Sequence, residues 1–305
     1  EDLGKTVTPY YLPPDSPNLR MLMATCDERQ REAYLEPYIN EGTISAIGIS
    51  EPGAGSDPAG MTTTATRDGD DWVLNGRKIW ISRAAEADFT IVMAVTDKEK
   101  GSRGGISAFL VDGDTPGFIV ERKIPMIAGA FTYEVILDEC RVPGWKLLGD
   151  EGQGFAPMQL RLTTRRLEMA SWCIGMAQRA LDMMCEYAPQ RTTFGAPLSE
   201  RQTVQWWVAD AATKIHATRL MTYDAAWKSD QGRSVRSEIS MVKVYATEMA
   251  WDTVDKAMQM FGGMGVSKEM PLQLMASHIR NMRIYDGPSE VHRWVVARKL
   301  LGTHR

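Results

Sequence analysis

Near residue 150 the hydrophobic period of this chain changes, and that change limits the possible folds more than any other feature. From Gly152 onward apolar residues recur at intervals of three and four: Leu167, Ala170, Ile174, Ala177, Leu181 and Met184, then Val204, Val208, Ala211 and Ile215. This spacing gathers them on one stripe of a helix. At least four such helices fit between residues 153 and 301, which predicts a bundle. Residues 43 to about 150 read differently. Short β-prone runs at 62–66, 72–74, 79–81, 89–95, 106–111, 118–120 and 133–137 alternate with Gly and Pro. They predict an antiparallel barrel or sandwich. Asn75-Gly76 predicts a hairpin turn between two of these runs, because both residues tolerate positive φ. Ahead of this region, Asp27 to Glu32 leads into a helix through Tyr34, Leu35 and Tyr38, preceded by a Pro-rich loop at 13–18.

Composition removes several function classes. The 305 residues are 44% hydrophobic and 24% charged, enough for a large core and two or three domains. A net charge of −4 gives no general attraction to nucleic acid or anionic membrane. No apolar run is long enough to span a bilayer, and no signal peptide is visible at Glu1. Cys26, Cys140, Cys173 and Cys185 have no CxxC spacing, which argues against structural zinc and against a disulfide framework. A reducing, intracellular setting is expected. The histidines at 216, 278, 292 and 304 lack metal-ligand spacing, so no metal is expected. Nineteen methionines and nine tryptophans suit an irregular core, or a flat aromatic cofactor.

Two segments carry candidate chemistry. In "ISEPGAGSD", residues 49–57, Gly53 and Gly55 allow close backbone approach, and Ser50 and Ser56 offer hydroxyls. Backbone N–H groups in such a loop can hold phosphate. The loop is neither a P-loop nor a dinucleotide GxGxxG, and a plain β-turn is an equal reading. In "NMRIYDGPSEVHR", residues 281–293, a carboxylate stands at a break between helical stretches. Gly287 supplies unusual backbone angles and Pro288 suits the first turn of a new helix. By itself Asp286 reads as a turn or cap residue.

Together these segments resemble the acyl-CoA dehydrogenase family of flavoenzymes. "SEPGAGSD" resembles its signature loop, "GRKIWIS" at 76–82 its flavin-contacting strand, and "RTTFGAPLSERQ" at 191–202 its adenosine-binding segment. "QMFGGMGV" at 259–266 resembles its pyrophosphate-side helix end, and "IYDGPSEVHRWVVAR" the segment with its catalytic base. The blocks occur in family order. The resemblance implies an α+β multidomain protein: a partial N-terminal helical region at 1–42, a central antiparallel β-barrel or sandwich at 43–151, and a C-terminal four-helix bundle at 152–305. The N-terminal helical domain is expected to be incomplete, because family members have a larger one.

The resemblance implies roles residue by residue. Ser50 stands where the family has a flavin-bonding Thr, and Ser56 would meet phosphate or CoA. Trp80 would lie on the isoalloxazine, with Ile81 beside it and Ser82 at the N5 edge. Arg191, Thr193, Phe194 and Gln202 would serve the adenosine half of FAD, from a neighbouring subunit. Gln259, Gly262 and Gly263 would meet the diphosphate and adenine side, and Pro288 and Glu290 would also touch the cofactor. Arg166 would lie near the CoA adenine, although an adjacent family Asp is Thr163 here. Asp286 would be the base that removes the α-proton, with Gly287 also against substrate. The family's usual residue there is Glu, so the reach is one methylene shorter. Branches with Asp include chains that handle hydroxylated acyl groups, which "PPDSPN" also resembles, and nitroalkane oxidase. The implied reaction is α,β-dehydrogenation of an acyl-CoA, with the β-hydride passing to flavin N5. The implied partners are an electron-transferring flavoprotein and further copies of the chain, as dimer or tetramer. An Asp-based oxidase of a small carbanion-forming substrate, and a non-catalytic FAD- or acyl-CoA-binding protein, are the alternatives.

Overall fold

The computed structural model describes residues 1–6 and 16–302. The chain forms two compact units, one of Tyr11–Thr164 and one of Arg165–Arg305 with Glu1–Tyr10. The first helix, α1 (Asp2–Thr6), belongs to the second unit.

The strand-rich unit opens with α2 (Ser16–Thr25), α3 (Glu28–Gln30) and α4 (Glu36–Asn40), the last two joined by a π-helical turn at Arg31–Leu35. Asp27 starts α3 through a capping box: its side chain accepts from the Gln30 N–H at 2.8 Å, and its own N–H donates to Gln30 Oε1 at 3.2 Å. The Pro-rich loop expected at 13–18 is corrected at its second half, since Ser16 already begins α2; residues 13–15 lie outside the described residues. Pro17 falls in the first helical turn, where its missing N–H has no partner to lose.

The strands are β1 (Ser45–Gly48), β2 (Thr64–Asp68), β3 (Asp71–Ile81), β4 (Phe89–Val95), β5 (Ile106–Asp112), β6 (Phe118–Pro125), β7 (Phe131–Pro143) and β8 (Leu147–Leu148). They form one sheet in the order β6-β7-β3-β2-β4-β5-β8, with β1 also on β4. The pairs β1·β4 and β2·β4 are parallel and the rest antiparallel. Of the antiparallel barrel or sandwich expected, the strand-rich domain is present, but its sheet is mixed and does not close, so barrel is too strict a word. The edge strand β6 is exposed along Ile119–Lys123 and carries Glu121, Arg122 and Lys123, charges that discourage pairing with another chain. In β4 side chains alternate between two cores: Phe89, Ile91 and Met93 pack with Tyr34, Tyr38 and Leu110, while Val92 and Ala94 pack with Trp72, Leu74 and Phe109.

Asn75-Gly76 is not a hairpin turn. β3 runs through both residues, and the turn before it is Gly69–Asp70, closed by the Asp68–Asp71 pair. Gly69 has φ +63, as the first central residue of a II′ turn requires. At Asn75-Gly76 the β3·β7 register shifts, a bulge. Asn75 bridges it by donating to Glu139 Oε1 and accepting from the Glu139 N–H, both at 2.8 Å. Gly76 is needed because a Cβ there would meet Thr63 Oγ1 at 2.4 Å.

The helical unit comprises α5 (Phe155–Gln190), which starts ahead of the unit boundary, then β9 (Thr192–Thr193) and β10 (Ala196–Pro197), α6 (Gln202–Asp230), α7 (Arg236–Phe261), α8 (Leu272–Met282) and α9 (Ser289–Leu301). The stripe of α5 buries Ala170, Ile174, Ala177, Leu181 and Met184 against Val204, Ala211 and Ile215 of α6 and Ile239, Val242 and Ala246 of α7. α7 also packs on α8 and α9.

Candidate active site

The break between α8 and α9 places Asp286. Its φ is +53 and that of Gly287 is +96, so two successive residues take left-handed angles. Asp tolerates such a position and Gly favours it. The cap residue of α9 is Pro288, and α9 has no side-chain cap bond. Asp286 is therefore not the N-cap of α9.

Three helices hold this turn by its carbonyls. Arg166 of α5 donates from Nε to the Asp286 carbonyl at 2.9 Å, and His292 of α9 approaches the same oxygen with Nε2 at 3.2 Å. Lys243 of α7 donates from Nζ to the Gly287 carbonyl at 2.6 Å. A carbonyl oxygen only accepts, so His292 Nε2 is the donor at the Asp286 contact; Nδ1 lies 3.1 Å from Ser240 Oγ, whose own hydroxyl donates to the Arg236 carbonyl at 2.9 Å. Burial, then the charges of Arg166 and Lys243, push His292 down to about 4, so its imidazole is neutral at pH 7. Burial lowers Lys243 to about 8, with Asp286 opposing the shift. The Asp286 side chain is 16% exposed, and Arg165 Nε lies 3.9 Å from its Oδ2. Arg293, two turns along α9, instead faces Glu248 at 3.6 Å.

In the strand-rich unit the loop after β1 is anchored from beneath. Glu51 is buried and accepts from Lys78 Nζ at 2.8 Å, from the Thr62 N–H at 2.6 Å and from the Thr63 N–H at 2.9 Å. The Ser50 carbonyl accepts from the Ile79 N–H at 2.9 Å, which ties the loop to β3. Gly53, Gly55 and Ser56 are exposed, and a Cβ at either glycine would meet nothing. Packing therefore does not demand those glycines. On β3, Trp80 takes φ +63 and is 53% exposed, Ser82 is exposed, and Ile81 is turned into the core, leaving its backbone as the part that can meet a ligand.

The segment 191–202 is a small hairpin. β9 and β10 pair through Phe194–Gly195, both at positive φ, as in a I′ turn. Phe194 is a poor residue for that backbone, and its ring is fully exposed. Arg191 and Gln202 are exposed at its two ends, and Arg201 donates to the Thr193 carbonyl at 2.6 Å. After α7, Gly262 has φ +60 and ψ −133, a region open mainly to glycine. Gln259, Gly262 and Gly263 are exposed. Gly265 is the packing-critical residue of this stretch, since a Cβ there would stand 2.2 Å from the Met258 carbonyl. Pro288 is half-buried beside the Asp286 turn, and Glu290 is exposed in the first turn of α9.

Models of known families match both units. The acyl-CoA dehydrogenase middle domain matches residues 46–140, and the acyl-CoA dehydrogenase C-terminal domain matches residues 152–301. The chain is 44% identical to (R)-benzylsuccinyl-CoA dehydrogenase of Thauera aromatica, over 96% of this chain and 72% of that protein. The chain belongs to the acyl-CoA dehydrogenase family. It is 39% identical to the caffeyl-CoA reductase-Etf complex subunit CarC of Acetobacterium woodii, over 96% of this chain and 77% of that protein. Butyryl-CoA dehydrogenase from Megasphaera elsdenii superposes with a TM-score of 0.88 at 34% identity, covering 94% of this chain and 76% of the other. A structure of PigA with FAD and proline gives 0.90 at 30% identity, covering 94% and 75%.

Acyl-CoA dehydrogenases are oxidoreductases with FAD as cofactor. The residues present fit that group. In the strand-rich unit Trp80, and in the helical unit Phe194, are held outward on left-handed backbone, which is locally unfavourable and exposes apolar surface. A flat aromatic ligand would cover such rings. Among the described residues no group of three His, Cys, Asp or Glu is arranged to hold a metal ion. No helix among them is long and apolar enough to cross a membrane.

Three side chains at the Asp286 turn, Arg165, Lys243 and His292, belong to none of the candidate chemistry in the sequence. Lys243 had a visible signal. It stands between Val242 and Val244 on the α7 stripe with Ile239 and Ala246, where a lysine is out of place unless its amine has a partner. Arg166 was expected near the CoA adenine; its Nε is engaged by the Asp286 carbonyl.

Proposed function

We propose that this chain dehydrogenates an acyl-CoA thioester, with Asp286 as the base that removes the α-proton. The observation that carries this reading is a carboxylate beside the start of α9 that does not cap it, set on a left-handed turn whose carbonyls three helices hold. A C–H beside a thioester carbonyl is a weak acid, and a base removes its proton fastest when fixed within contact distance. The backbone N–H of Asp286 would donate to the thioester carbonyl as negative charge builds there. Ser50, Ser56, Trp80, Ser82 and the backbone of Ile81 would hold the flavin end of FAD. Arg191, Thr193, Phe194, Gln202, Gln259, Gly262, Gly263, Pro288 and Glu290 would hold the remainder. Bound there, FAD supplies the acceptor for the β-hydride.

The same reading assigns Ser56, Arg166 and Gly287 to substrate. Divisions at 1–42, 43–151 and 152–305 are proposed as domains. The electron acceptor proposed is an electron-transferring flavoprotein, the kind of partner that the CarC complex names. A homodimer or homotetramer is proposed, working inside the cell in fatty-acid or related acyl-CoA metabolism.

FAD-loaded protein mixed with acyl-CoAs ranging from butyryl-CoA to benzylsuccinyl-CoA should lose its oxidised flavin absorbance with at least one. Asp286→Asn should keep FAD and acyl-CoA binding and slow that bleaching by roughly 10²–10⁴-fold, the usual worth of a general base. Full activity in this variant would return Asp286 to a turn residue. A second reading, oxidation of a small carbanion-forming substrate, draws on the shorter Asp and on PigA, a neighbour described with proline. It requires that CoA itself fails to bind.

A further inference from the structure

His292 and Lys243 are buried polar groups to which the proposed reaction gives no chemical step. They lie on different helices, and their polar atoms converge on consecutive carbonyls, those of Asp286 and Gly287. We infer that His292 and Lys243 are positioning residues that hold the Asp286–Gly287 backbone in its left-handed form, and so fix where the Asp286 carboxylate points. The inference rests on Asp286 being the base.

The geometry is closed on every side. His292 is 2% exposed, and its other ring nitrogen lies against Ser240 Oγ at 3.1 Å, so the ring is held in one orientation. Gly287 approaches this ring so closely that a Cβ would stand 2.8 Å from Nε2. Lys243 is fully buried, and its amine donates to Gly287 rather than to a carboxylate. Around the two stand Arg166 and Cys173 of α5, Glu248 of α7 and Asp286 itself. A residue at φ +53 next to one at +96 has no local preference strong enough to keep a single conformation. External bonds to its carbonyls supply that preference. A carboxylate carried on a turn that swings by about 1 Å can lose 10²-fold in rate without losing substrate affinity.

The experiment compares FAD-loaded wild type with His292→Phe, His292→Gln, Lys243→Met and Ser240→Ala. Three quantities are read: single-turnover flavin bleaching, the acyl-CoA dissociation constant, and amide hydrogen exchange over residues 284–290 without substrate. His292→Phe and Lys243→Met should each bleach about 10²-fold more slowly at unchanged dissociation constant, and exchange faster over 284–290. His292→Gln keeps an N–H donor and should recover most of the rate. Ser240→Ala frees the ring and should fall between. Wild-type bleaching in His292→Phe, or equal losses in the Phe and Gln variants, would overturn the inference. Should His292→Phe fail to fold, wild-type bleaching and exchange in Ser240→Ala would overturn it. A wild type that no acyl-CoA bleaches defeats the proposed reaction instead, and the exchange comparison still judges the clamp.

Discussion

Gly287 tolerates almost no change. Gly287→Ala forces a side chain onto φ +96 and brings its Cβ to 2.8 Å from His292 Nε2. A loss of about 1–3 kcal/mol is expected, read as a lower urea midpoint. His292 makes the same turn sensitive to acid. Its folded-state value of about 4 lies below the 6.5 of an exposed histidine, so between those values the unfolded chain binds more protons than the folded one. Stability from this group is therefore complete above pH 6.5 and lost as pH falls toward 4, by up to about 3 kcal/mol. His292→Gln should lack that component, which urea titrations of both proteins at pH 7 and pH 4.5 will measure. At this scale the sequence was legible only in part. The Gly-Pro break by itself reads Asp286 as a turn residue, and only the resemblance of the whole segment singles it out as a candidate base. Its partners are harder to find: Lys243 is marked only as a lysine on an apolar stripe, with nothing to say which group it meets, and His292 resembles an ordinary core histidine until the helices fold.

β3 shows how an element can carry its neighbour. The loop with Ser50 and Ser56 has exposed glycines and no core of its own, so it depends on the buried Glu51–Lys78 pair beneath it. Burial raises the Glu51 carboxyl, but the Lys78 charge and hydrogen bond, together with the hydrogen bonds from Thr63 and Thr62, outweigh it and hold it down to about 2. Glu51→Gln would leave the Lys78 ammonium buried without its counter-charge. A cost of about 3–5 kcal/mol is expected in chemical denaturation, with part of it regained by adding Lys78→Met. Runs of Val, Ile, Phe and Ala announced β4 and β5 plainly, and the three-four spacing announced α5 and α6. The bulge at Asn75-Gly76 was hidden. The same dipeptide serves a tight turn or a bulge, and the choice was made by Thr63 and Glu139, neither adjacent in sequence. Parallel pairing of β1 with β4 was hidden too, because alternation reveals a strand but not the direction of its partner.

For the molecule as a whole, the cofactor should be a structural member as well as a reagent. Anything that binds only the folded chain stabilises it, by about 2.7 kcal/mol at a hundredfold excess over its dissociation constant. Stripping FAD should lower the melting temperature, and restoring FAD should raise it in a concentration-dependent way. Exposed Trp206, Trp227, Trp294, Leu300 and Leu301 on the helical unit are a large apolar display for a lone chain. Light scattering on FAD-loaded protein should report a dimer or tetramer; a monomer would refute the proposed assembly. The hairpin at Phe194–Gly195 carries a warning for anyone who engineers this scaffold. Stability-guided redesign would choose Phe194→Asn early, since Asn-Gly is the favoured pair for a I′ turn and the native ring sits bare in solvent. Such a change can add about 0.5–2 kcal/mol to the isolated fold. If that ring is kept to cover adenosine, the sturdier variant will also be the one that leaves the purification column colourless.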